Sequence, residues 1–196
     1  MNYEILSALM LFAFVTSITP GPNNIMLMSS GSNFGFKQTI PHVLGVGLGF
    51  TFMIMLVGFG IIQLFEVFPI SYQILKIISV VYLLYLAFKI AISGNNISKN
   101  SPKSQPLTFI QAALFQWVNP KAWTMALTAI SIYAPSKSIG AIIFVALVFG
   151  TINLPCICSW VVLGKKMQVF LTDVKRHQVF NITMALLLLG SLYPSI

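Results

Sequence analysis

Residues 18–30 read "ITPGPNNIMLMSS". Two prolines, a glycine and two asparagines interrupt an apolar run from Leu6 to Met28. One plain helix would not carry Pro20, Gly21 and Pro22 in its interior, because each proline removes a backbone donor and clashes with the preceding turn. The same residues are good helix starts. Thr19-Pro20 and Gly21-Pro22 each pair a favoured cap with a proline suited to the first helical position. The stretch therefore predicts a helix that stops and restarts, with Asn23 and Asn24 in the new first turn.

The surroundings give the solvent. Of 196 residues, 57% are hydrophobic and only 7% are charged. Soluble domains carry roughly 25% charged residues, so this chain cannot present a water-facing surface all round. Val43–Phe65 is 23 residues without a charge, about 34 Å as a helix and enough to cross a bilayer. Six spans are read at about 5–29, 40–65, 70–92, 107–133, 139–164 and 178–195. They form one transmembrane domain over 1–196. The leading Met1-Asn2-Tyr3-Glu4 lacks the basic cluster of a secretory signal, so the first span is expected to stay. The longest loop, Ser93–Pro106, is polar and expected to be mobile.

The net charge is +8, and its distribution speaks of topology rather than nucleic acid. Lys37, then Lys99 and Lys103, then Lys165, Lys166, Lys175 and Arg176 fall in the loops after spans one, three and five. Only Lys137 lies clear of a helix in the other loops. Basic residues favour the cytoplasmic side, which puts these loops inside and both termini outside. Lys76, in span three, sits on the poorer side.

Three spans on each side of residue 100 mean that the halves, about 1–98 and 99–196, enter the membrane in opposite senses, as inverted repeats do. The second half carries a matching break in its first span, Gln116-Trp117-Val118-Asn119-Pro120-Lys121. Asn119-Pro120 is again a cap followed by a first helical residue. The fold expected is thus all-α: six transmembrane helices in two inverted three-helix repeats, the first and fourth helices broken near the midplane. Freed amide groups at a helix start carry partial positive charge and are tolerable in a bilayer only beside protein or a wet cavity. Two starts meeting there would suit a carboxylate, and the nearby carbonyls and asparagines an ammonium.

Lys121 lies mid-span, where a lysine costs about 2.5–3.5 kcal/mol and needs a partner. The chain has only three acids, Glu4, Glu66 and Asp173, none of them mid-span, so the substrate's carboxylate is its expected partner. The candidate binding residues are Pro20, Gly21, Pro22, Asn23, Asn24, Gln116, Asn119, Pro120, Lys121 and Asn153. Asn153 could equally join two helices. Glu66 is the candidate proton relay. His42 reads as interfacial. Gly45 and Gly49 read as a close-packing face, and such faces could also join copies of the chain into a homo-oligomer. Cys156 and Cys158 point to different sides of a helix and read as packing residues. No cofactor, metal site or catalytic cluster is expected.

At these motifs the sequence resembles the lysine exporter family of amino-acid translocators. "TSITPGPNNIMLMSS", "GFKQ", "GLGF" and "FQWVNPK" look most like its cysteine and O-acetylserine exporter branch. The resemblance runs the whole length. It implies efflux of small amino acids across a bacterial inner membrane, driven by protons, and roles for Pro20, Gly21, Pro22, Asn23, Asn119, Pro120 and Lys121. The partners expected are an amino acid and membrane lipid. A passive aquaporin-like channel is the alternative, disfavoured because the chain has one Asn-Pro and no arginine in a span.

Overall fold

Two breaks divide the helices at the prolines. The computed structural model describes residues 3–61, 67–92, 105–134, 136, 138–171 and 173–191. Among them are seven helices and no strand: α1 (Tyr3–Ile18), α2 (Pro22–Gly58), α3 (Pro69–Ile92), α4 (Phe109–Val118), α5 (Pro120–Tyr133), α6 (Ile139–Met167) and α7 (Val174–Gly190). Three stretches, Pro22–Gly58, Gln73–Ile92 and Ile139–Met167, are long and apolar enough to cross a membrane. Glu66 and most of the Ser93–Pro106 loop lie outside the described residues.

Local signals account for the starts. Thr108 and Gln111 form a reciprocal capping box on α4, which meets two of its orphan donors. Ser138 caps α6 by accepting from the Ala141 amide. Pro22 and Pro120 open α2 and α5.

One expectation is corrected. The sequence suggests a loop between 29 and 40, but α2 continues through it and bends at Gly35 alone, with φ 78° and ψ 171°. A positive φ of this kind favours glycine, and it turns the chain within a single residue. Lys37 therefore lies in the second arm of α2.

The long helices pack in pairs. α2 lies along α6, α1 packs on α6, α4 packs on α2, and α3 pairs with α7. The sequence's packing glycines are used inside the chain. A Cβ at Gly45 or Gly49 would run into α4, at Ala112 and Ala113 respectively. Gly31 meets the Val161 backbone, and Gly164 that of Met28. Cys156 is buried, Cys158 half-buried, and both are free thiols.

Two apolar cores result. One gathers Leu27, Leu83, Phe115, Val161 and Leu188. The other gathers Leu9, Phe50, Met53, Ala126 and Phe149. The outer surface also stays apolar: Leu48, Phe52, Ile77, Phe88 and Leu147 are exposed, a surface suited to hydrocarbon rather than water.

Candidate functional site

Between the two cores lies a cavity lined from both breaks. Gly21, Asn23 and Asn24 reach it from the start of α2, and Asn119, Lys121 and Ala122 from the start of α5. Its empty space is about 330 Å³ counting its open mouth, at the small end for ligand sites. Phe50 and Met125 form a wall on one core, and Ile157 on the other.

Side chains meet the carbonyls at and just beyond the end of α1. Helix carbonyls left without a backbone donor need another partner when water is scarce. Asn24 Nδ2 donates to the Ser17 carbonyl at 2.8 Å and to that of Thr19 at 2.7 Å. Trp160 Nε1 donates to the Ile18 carbonyl at 3.1 Å. Lys121 Nζ donates to the Thr19 carbonyl at 2.9 Å, the Thr19 hydroxyl at 3.0 Å and the Pro20 carbonyl at 3.2 Å. The sequence reading gave Lys121 a substrate carboxylate as its partner. In this structure its hydrogen bonds go to the first break, while its side chain still lines the cavity.

A second pair ties the breaks in the other direction. Asn23 and Gln116 exchange hydrogen bonds at 2.8 and 3.2 Å, and Gln116 Nε2 also donates to the Ala112 carbonyl. Each restarted helix thus sends a side chain to the opposite break. Asn119 caps α5 as its residue type implies, its Oδ1 accepting from the Lys121 amide at 3.1 Å. Gly21, the opposite cap, is extended (φ −179°, ψ 175°) and offers no side chain. Of the two starts offered by the sequence, Gly21-Pro22 is used and Thr19-Pro20 is not. A Cβ on Gly21 would sit 2.7 Å from Lys121 Cδ and 3.1 Å from Nζ, so the missing side chain is what lets Lys121 cross.

The sequence-predicted residues divide into two groups. Gly21, Asn23, Asn24, Asn119, Lys121 and Asn153 line the cavity. Pro20, Pro22, Gln116 and Pro120 are not among its lining residues; Pro22 and Pro120 open the restarted helices, and Gln116 bonds Asn23 between the breaks. The Asn153 side chain is buried and lines the cavity.

The comparisons with known proteins point the same way. The sequence matches the LysE type translocator family over residues 14–191. The chain belongs to that family. It is 30% identical to the cysteine/O-acetylserine efflux protein of Escherichia coli O139:H28 (strain E24377A / ETEC), over 96% of each chain. It is also 30% identical to the proteins of that name from Escherichia coli (strain K12) and Shigella sonnei (strain Ss046), over 96% of this chain and 95% of each relative. No solved structure matches.

In this LysE type translocator the residues that sequence reasoning missed are Ser17, Trp160 and the cavity's apolar wall. Ser17 lies in α1 before the break, and its Oγ is buried without a hydrogen-bond partner. An unmet buried hydroxyl costs about 1–3 kcal/mol, and Ser17 is one of the polar residues that line the cavity. Nothing in the run "FVTSI" distinguishes Ser17 from a residue packed among its neighbours.

Proposed function

We propose that the chain is a secondary carrier, not an enzyme, that exports small amino acids of the cysteine and O-acetylserine kind across a bacterial inner membrane. The observation that carries this is the cavity framed by both helix restarts, with Lys121 at its edge. In a family of translocators whose relatives here are named efflux proteins, such a chamber is the natural place for cargo. The substrate's carboxylate takes Lys121 and the start of α2 and α5. Its ammonium takes Asn23, Asn153 and the Ser17 hydroxyl. The side chain lies against Phe50, Met125 and Ile157.

Six spans in two inverted repeats fit the packing pattern. Exchanging the halves turns the α1–α6 contact into the α4–α2 contact and maps the α2–α6 and α3–α7 contacts onto themselves. Alternating access then means that one apolar core loosens while the other stays shut, opening the cavity to one side at a time. The termini lie outside, from the placement of the basic loops. Proton coupling would run through Glu66, Lys121 or the substrate itself. A passive channel finds no support in the relatives' names, and here Lys121 is hydrogen-bonded across the cavity edge.

Counterflow in proteoliposomes with a panel of labelled amino acids tests the proposal. Saturable exchange of cysteine or O-acetylserine is expected. Flux that rises linearly with concentration and shows no exchange would leave a pore.

A further inference from the structure

A second hollow lies further along α2. It is enclosed by both arms of that helix, by α3 and by the segment 105–107, and holds about 380 Å³ counting its mouth. His42 lines it. The sequence places His42 at an interface, yet it is 1% exposed and neither ring nitrogen has a hydrogen-bond partner. The helix runs on through the Gly35 bend, which carries His42 about 10 Å into the second arm. A buried imidazole with both nitrogens unmet is costly unless something fills the space beside it.

The remaining polar groups define what could fill it. Lys89 reaches the wall from α3, and Ser29 and Ser30 from the first arm of α2. Thr39 donates its hydroxyl proton to the Gly35 carbonyl at 2.8 Å, so in its 3.2 Å contact with Ser30 the serine must donate. Ser30 therefore offers the cavity a lone pair. Ser29 Oγ accepts from Asn33 at 3.3 Å, so its proton is left to donate. Neutral His42 supplies one donor and one acceptor. Lys89 supplies positive charge at the wall. Donors with one cation, set beside two acceptors and an apolar floor of Met26 and Leu86, match a zwitterion with its carboxylate toward Lys89.

We propose that this hollow is a second, inward-side binding site for the α-amino acid, occupied before the substrate reaches the chamber at Lys121. The inference rests on the export reading above. Phe34 lines the site beside the Gly35 bend and Lys37, on the side that the basic residues assign to the cytoplasm. Asn24 of the first cavity and Ser29 of the second are five residues apart on one helical arm, about 7.5 Å of rise. Buried Leu27 lies between them. The two cavities are therefore neighbours along α2.

Equilibrium binding of labelled O-acetyl-L-serine to the purified protein tests the proposal. Two molecules per chain are expected for the wild type and one for K121M, the latter lost in K121M/H42F. One molecule in the wild type and none in K121M would overturn the second site and leave the carrier reading standing. No binding to the wild type would remove both. Should H42F fail to fold, ¹⁵N-histidine spectra of folded H177Q report on His42 alone. A saturable shift of its ring nitrogens with O-acetyl-L-serine is expected, and an unmoved signal overturns the site.

Discussion

The ammonium of Lys121 lies 2.9 Å from the carbonyl of Thr19, one helix break answering the other. The two residues are 102 apart in sequence and belong to opposite halves of the chain. Their contact explains how a lysine can be tolerated in so apolar a chain: it serves the carbonyls that the end of α1 leaves without backbone donors. It also makes Lys121 movable, because a carboxylate entering the cavity offers the ammonium a stronger partner than a neutral carbonyl.

Replacing Lys121 with Met should therefore abolish export while protein still reaches the membrane. Hydrogen bonds to charged groups contribute about 1.5–3 kcal/mol, so substrate affinity should fall about 10- to 100-fold. Binding and counterflow on equal amounts of protein check this. Wild-type transport by K121M would remove Lys121 from the site.

Gly21→Ala should act through Lys121. The backbone at Gly21 is extended and accepts any residue, so the change strains nothing locally. Its new Cβ instead meets the Lys121 side chain. Transport is expected to fall about tenfold, equivalent to about 1.4 kcal/mol, with little change in thermal stability. A large loss of melting temperature with unchanged transport per folded molecule would contradict this.

Asn24→Ala should do the reverse and cost stability first. It leaves the buried Ser17 carbonyl without its Asn24 donor, at about 1–3 kcal/mol, and the Thr19 carbonyl with Lys121 alone. Asn24→Asp should fare no better, since a carboxylate cannot donate. Thermal unfolding in detergent, followed by size-exclusion chromatography, reads both variants.

Close packing separates two glycines that look alike in sequence. A Cβ at Gly164 would drive into the Met28 backbone, whereas Gly140 has nothing within 4 Å. Gly164→Ala should lower folded yield sharply, because backbone cannot yield as a side-chain end can. Gly140→Ala should be neutral or slightly stabilising. Equal behaviour of the two would contradict the α2–α6 packing.

Much of this was legible in the sequence because it is local. Asn119-Pro120 announces a cap and a first turn, and the structure uses it so. Pro22 opens α2 for the same reason. What failed was distance and direction. A single positive-φ glycine carried α2 through a predicted loop and buried His42. Asn24 was expected to face a ligand, but it also folds back on α1, a contact that depends on where the break bends. Ser17 and Trp160 carried no signal because their roles exist only once α1 and α6 lie together.

The central claim is that the chamber between the two restarts holds the amino acid. Ser17→Cys in a C156A/C158A background places one thiol there with almost no change of volume. Modification of that thiol by a membrane-permeant maleimide, with and without saturating O-acetyl-L-serine, measures occupancy directly. The account predicts labelling that the amino acid slows several-fold, and that K121M releases from this protection. Labelling at the same rate with and without the amino acid, in a protein that still shows saturable counterflow, would place the substrate elsewhere.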